Sequence, residues 1–410
     1  MKFYQRLFRF AVISLLSLGM IHCPGIIGGK DDKKDSNNLT LAVLALMGAS
    51  STATVTTLSL SEAGQTNSTQ ILNQPEDLAV GSDGNIYVAD SKNNRIVKIT
   101  NESTVTAIAT STGNGGTVSV INNPEGITSG PTGILYVANT GASTATSGNY
   151  DGHNILKIDI NNGNALTLLS GANRPVNRET IDGTQGTNRY FKPEGIRYAN
   201  GKLIVGENGG FNVREVNISN GTVTTLAGQM ATGGANPTAG TPIATDGPAG
   251  SARFNGPKGV VADSKGNVYI ADGNNHCIRK YDPVGNTVST FAGSRAGSTD
   301  ASAPGFVDGV GTSAKFNGPY MITIDSNDNI YVADGKNFAI RKITSAGVVS
   351  TIAGGTQGRA DGVGAAAKFY NPIGIYFYNN TLYVTDKAKA KLLGNIDPND
   401  YSTIRKITGF

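Results

Sequence analysis

Six acidic or amide side chains recur at matching places along the chain: Asp90, Asn139, Glu207, Asp272, Asp334 and Asp386. They lie about 50 to 70 residues apart, each at the end of a short apolar run. Brought to one surface, their oxygens could contact a ligand or draw a partner by charge. A plainer role is the one these residues favour. An acid at this place can cap its own turn or pair with an arginine on the following run, for which Arg279, Arg341 and Arg405 are candidates. A second set sits in long glycine-rich connections: Asp182-Gly183, Asp246-Gly247, Asp308-Gly309 and Asp361-Gly362. Each precedes a basic and aromatic step, namely Arg189-Tyr190, Arg253-Phe254, Lys315-Phe316 and Lys368-Phe369. Long loops in a compact repeat are usually functional. The stretches 308–315 and 361–368 are therefore the expected contact surface, and the aromatics are expected to anchor the core.

Other chemistry is sparse. Beyond the N-terminal segment the histidines are His153 and His276, at the same turn of their repeats and too few for a three-histidine zinc site. There is no Gly-x-Ser-x-Gly, phosphate-binding loop or Cys-x-x-Cys. A calcium site needs six to eight oxygens, and no EF-hand-like spacing supplies them. No cofactor is expected, calcium being the one metal these acids could hold.

The elements that must position these residues are short strands. Residues 267–281 alternate apolar and polar positions, turn through Asp272 to Asn275, and return, which is the pattern of a hairpin. The outgoing strand recurs at 85–90, 134–139, 202–207, 329–334 and 381–386; the return begins at Arg95, Asn154, Asn212, Ala339 and Thr403. Upstream of each hairpin stands a proline-led segment, at Pro75, Pro124, Pro193, Pro257, Pro319 and Pro372. Proline suits the start of a strand because it has no N–H to donate. Downstream comes a β-branched run, as at Val105, Leu166, Val223, Val288 and Val349.

One repeat is thus four antiparallel strands, a to d. Such a sheet cannot bury both faces alone, and sheets of this kind repeated radially make a β-propeller. The sixth repeat ends at Phe410 before any strand d, whereas Val55-Thr-Thr-Leu-Ser matches the strand at Val223. The expected fold is all-β: a six-bladed propeller closed by an N-terminal strand at about 53–60. The b–c turns and d–a connections then share one face.

The Pro-x-Gly-Ile/Val start, the Asn-Ile-Tyr-Val-Ala-Asp strand and the Asn-x-x-Ile-Arg-Lys-Ile return resemble the NHL-repeat family of propellers over residues 53–410. The third copy departs most, with Glu207 for Asp and no Asn-Asn turn. The resemblance implies a binding or interaction scaffold. RNA-binding relatives present a basic face with aromatics, whereas this face is expected to be acidic. Lactonase-type propellers use a Glu/Asn/Asp calcium site, which Glu207, Asn139, Asp272 and Asp334 could imitate. A metal-dependent hydrolase or lyase is accordingly the alternative function.

The address lies at the N-terminus. Lys2, Arg6 and Arg9 precede an apolar run from Phe10 to Ile21, too short to span a bilayer and suited to an export signal. Met20-Ile-His-Cys23 resembles a bacterial lipobox, although His22 stands where a small residue is usual; ordinary cleavage near Gly19 would leave Cys23 incidental. The expected organisation is a signal peptide at 1–22, a lipid-anchored tether at 23–52 acylated at Cys23, and the propeller at 53–410. The apolar stretch Leu39 to Met47 could lie on the bilayer or on the domain. Cys277 is the one other cysteine, so acylation of Cys23 leaves no intrachain disulfide. Net charge is +4, of which residues 1–38 hold +3. A nucleic-acid partner is therefore not expected. The expected protein is a monomeric envelope scaffold, membrane-held by its lipid, binding a protein or a small extracellular ligand.

Overall fold

A computed structural model describes residues 52–62, 71–110, 121–141, 152–171, 180–229, 244–294, 304–387 and 401–410. The segment expected to be an export signal, Cys23, Leu39 to Met47 and the segment expected to be a tether, up to residue 51, lie outside the described residues.

Each repeat folds into the expected antiparallel blade. In strand order a to d, blade 1 is Pro75–Val80, Ile86–Asp90, Arg95–Thr100 and Thr104–Thr110. Blade 2 is Pro124–Ser129, Ile134–Asn139, Asn154–Asp159 and Ala165–Ser170. Blade 3 is Pro193–Ala199, Lys202–Glu207, Asn212–Asn217 and Val223–Gly228. Blade 4 is Pro257–Ala262, Val268–Asp272, Cys277–Asp282 and Thr287–Ala292. Blade 5 is Pro319–Ile324, Ile330–Asp334, Ala339–Ile343 and Val348–Gly354. Blade 6 is Pro372–Tyr378, Thr381–Asp386 and Thr403–Thr408, completed by Thr54–Thr57 from the other end of the domain.

That closure is in register. Thr54 faces Thr408, Val55 faces Ile407 and Thr57 faces Arg405. Val55 and Ala53 are fully buried against blades 5 and 6. Adjacent a strands touch around the axis, and blade 6 touches blade 1, so the ring is shut. The apolar core is divided among the interfaces: Ala89 and Leu135 sit between blades 1 and 2, for example, and Ile278 and Val332 between blades 4 and 5. Phe254, Phe316 and Phe369 are fully buried, confirming the aromatic anchors. Truncating a buried phenylalanine typically costs about 3 to 5 kcal/mol.

The d–a connections do more than link blades. Gly247–Pro248, Gly309–Val310 and Gly362–Val363 each add a short fifth strand outside strand d of the blade that follows. Gly247 and Gly362 need φ of 132° and 155°, which favours glycine after the aspartate. The added strands cover an edge that would otherwise be open for pairing.

A candidate binding site at the channel mouth

The six strand-b side chains do not rim the face. Asp90, Asn139, Glu207, Asp272, Asp334 and Asp386 are all fully buried, and all but Asn139 are paired to an arginine. In blade 5, Arg341 donates to Asp334 at 2.9 Å and to Asp308 at 2.6 Å. It also donates to the carbonyls of Lys315 and Val307 and lies 5.0 Å above the Phe316 ring. Blades 3, 4 and 6 repeat the arrangement: Arg214 lies between Glu207 and Asp182, Arg279 between Asp272 and Asp246, and Arg405 between Asp386 and Asp361.

Asp308 and Asp361, expected on a contact surface, thus brace strand-c arginines. Their carboxylates also accept from Thr351 and Thr57 of the outer strands. The fork geometry of guanidinium allows one side chain to hold both acids and the carbonyls between them. Asn139 accepts from the Asn122 N–H and donates to Asn154. Asn139, Glu207, Asp272 and Asp334 remain in their own blades and do not converge as the calcium set that the lactonase resemblance implied. Among the described residues no group of three or more His, Cys, Asp or Glu side chains is placed to hold a metal. The histidines stitch blades together: Nδ1 of His153 accepts the Lys192 N–H, and Nδ1 of His276 accepts that of Gly318, both at 3.0 Å.

Uncommitted chemistry lies nearer the axis. Each strand a begins at that face, because Pro75 pairs with Asp90 at the end of strand b. The residues after five of the prolines, Glu76, Glu125, Glu194, Lys258 and Tyr320, lie close enough to act on one another's charge. The next position is glycine in four blades, at 126, 195, 259 and 374. A Cβ on Gly126 would lie 2.1 Å from the Glu194 carbonyl oxygen, and one on Gly195 would lie 2.1 Å from that of Lys258. Those glycines let neighbouring a strands approach, which brings the preceding side chains together.

The mouth is a charged network. Lys258 donates to Glu194 at 2.9 Å and stands 3.8 Å from the Tyr320 ring centroid. Asn208 donates to the other Glu194 oxygen, and Lys387 pairs with Glu76 at 2.5 Å. Burial, then the charges of Glu194 and Glu76, hold the Glu125 carboxyl well above the usual glutamate range. Burial also opposes charge on Glu194, but Lys258 and the hydrogen bonds it receives more than offset this and lower its pKa. Glu125 and Glu194 are thus hydrogen-bonded to each other with their pKa values pushed in opposite directions.

Beneath this network the channel is closed. Arg197 from strand a of blade 3 reaches Asp77 of blade 1 at 2.7 Å and donates to the Ile375 carbonyl of blade 6. Asp77 is fully buried and Arg197 nearly so. The mouth is consequently a blind cup.

Glu125 also lines a cleft of about 370 Å³ between blades 1 and 2 and the start of blade 3. Lys92 and Asn94 from the b–c turn of blade 1 line it together with Lys192, His153 and Glu125. The sequence carried one signal for this site. Among the four repeats whose proline and glycine both recur, the residue between them changes from Glu to Lys to Ile, as a position released from the repeat's packing would.

Four-stranded blades, a shut ring and a polar axial cup define a six-bladed β-propeller. The NHL-repeat family model matches residues 72–99 and 254–281, the a-to-c portions of blades 1 and 4. These matched repeats, with the same pattern folded six times, support the NHL-repeat propeller family. An 87-residue stretch is 37% identical to Protein SUPPRESSOR OF QUENCHING 1, chloroplastic, of Arabidopsis thaliana; it is 21% of this chain and spans only 8% of that protein. An auxiliary nutrient binding protein from Bacteroides ovatus is similar in structure, with a TM-score of 0.57 and 18% identity, over 87% of this chain and 77% of that one. A gluconolactonase from Xanthomonas campestris gives 0.52 at 10% identity, over 89% and 92%. At these identities the likeness is one of fold.

Proposed function

We propose that this protein is an exported, lipid-anchored binding scaffold of the bacterial envelope, taking a small ligand or protein partner at the mouth of its channel. The observation that supports this most is the blind polar cup: Lys258, Glu194 and Glu125 face a mouth whose floor is the Asp77–Arg197 pair. The strand-b acids, by contrast, are spent on bracing. The name of the Bacteroides ovatus protein, a nutrient binder on the same fold, agrees with this reading. The basic and apolar run before Cys23 supports export and acylation.

A second reading, a hydrolase or lyase, draws on the Glu125–Glu194 pair. A protonated carboxyl beside an ionised one can do acid–base work, and a gluconolactonase shares the fold.

The reading is tested by a small-molecule screen on the purified protein, with Lys258→Met and Tyr320→Phe as mouth variants. Ligand binding that both variants weaken, in proteins that melt as the parent does, supports the mouth. Binding indifferent to both places the site elsewhere, and turnover of the ligand would favour the second reading. The address is tested by fractionation. Cys23→Ala should move the protein from the membrane to the soluble fraction, and a parent protein soluble without detergent would refute the anchor.

A further inference from the structure

We propose that the cleft between blades 1 and 2 binds a small organic anion, a carboxylate bearing further acceptor oxygens, held between Lys92 and Lys192 beside Glu125. This rests on the reading of the mouth as a ligand site and names the class of ligand it takes.

The argument is a count of donors and acceptors. The acceptors in the cleft wall are used by the protein itself. Asn94 Oδ1 accepts the Asn123 N–H at 2.7 Å, and Asn123 Oδ1 accepts from Lys92 at 3.4 Å. His153 Nδ1 accepts the Lys192 N–H, and Glu125 Oε1 accepts from Asn123 Nδ2 at 2.8 Å. Ser91 and Thr140 turn their hydroxyls to the carbonyls of Pro124 and Pro193.

The donors are not used in the same way. Asn94 Nδ2 and the Lys192 ammonium have no protein partner among the described residues, and Lys92 has only its long contact with Asn123. No described carboxylate pairs with either lysine. Among the described residues the one carboxyl lining the cleft is Glu125, whose pKa is pushed well above the usual glutamate range by burial and then by the charges of Glu194 and Glu76. Two cations and a free amide thus face a space that, among the described residues, is lined by no carboxyl but Glu125. A ligand that satisfies them must be negative and rich in acceptors, since a cation would meet like charge at both lysines. The cleft, about 370 Å³, is of a size for such a molecule.

The test is calorimetric titration of the full chain, purified in mild detergent, with glucuronate and citrate as anionic probes. Glucose serves as the neutral probe and putrescine as the cationic one. The anions should bind and the other two should not. Lys92→Met and Lys192→Met should each weaken anion binding about tenfold or more without changing the melting temperature, as loss of a charged hydrogen bond implies. Absence of anion binding, or anion binding that survives both substitutions, would overturn the proposal. If glucose or putrescine binds instead, and Lys258→Met abolishes it, the mouth remains a ligand site and only the anion assignment fails.

Discussion

Arg197 and Asp77 stand 120 positions apart in sequence and meet across the propeller axis, Nη1 to Oδ2 at 2.7 Å. The second guanidinium nitrogen holds the remaining Asp77 oxygen at 3.3 Å and the Ile375 carbonyl at 3.0 Å. One side chain from blade 3 therefore ties together blades 1, 2, 3 and 6.

Breaking this plug from one side should be costly. Arg197→Met leaves Asp77 buried without its partner and is expected to lose about 3 to 5 kcal/mol in urea unfolding. Replacing both by apolar residues, Asp77→Leu with Arg197→Met, should recover most of that loss, because neither charge is then buried. A double variant as unstable as the single one would show that the pair contributes more than charge compensation.

The clamp of blade 5 makes a sharper distinction between arginine and lysine. Arg341→Lys keeps the charge but cannot reach Asp334, Asp308 and two carbonyls with one planar fork. We expect it to lose about 2 kcal/mol or more, approaching the loss in Arg341→Met. Full rescue by lysine would mean that charge alone matters at this position.

Ring closure predicts the effect of an N-terminal deletion. Removal of residues 52–62 takes away strand d of blade 6 and bares the edge at Thr403–Thr408. The expected outcome is a markedly lower melting temperature with aggregation. Unchanged thermal stability would refute the pairing as a source of stability.

The Glu125 proton should be visible in the pH dependence of stability. Its folded pKa is raised well above 4.5 by burial and by the charges of Glu194 and Glu76. Such a group contributes stability that is full below its unfolded pKa and is lost as pH rises through the folded value. The parent protein should therefore lose stability from about pH 5 upward relative to Glu125→Gln, which mimics the protonated form. Parallel profiles for the two proteins would show that Glu125 is not held protonated.

How much of this was legible beforehand follows from the range over which each feature is encoded. The strands of all six blades, the buried aromatics after Arg253, Lys315 and Lys368, and the closing strand at Val55 were readable, because period-two patterning and repetition are local properties. A matching tetrapeptide at the far end of the chain was enough to identify the missing strand. The strand-b acids were located along the chain, but not in depth. Whether Asp334 faces solvent or Arg341 depends on Asp308, which returns from the preceding connection only after folding.

The candidate site was less legible still. Glu125, Glu194 and Lys258 are far apart in sequence and were seen only as residues next to strand-opening prolines. Alternation along a strand gives the face a side chain takes; it does not give that strand's distance from an axis. Ring closure sets strand a innermost, and glycines at 126 and 195 allow the close approach that makes neighbours of those three residues. The same closure brings Arg197 to Asp77 and converts a channel into a cup. The sequence by itself determined the blades and their number, because each blade is built from adjacent segments. The tertiary structure decided where unpaired charge remains, because only the shut ring brings groups from different blades close enough to neutralise one another or to leave a cleft between them.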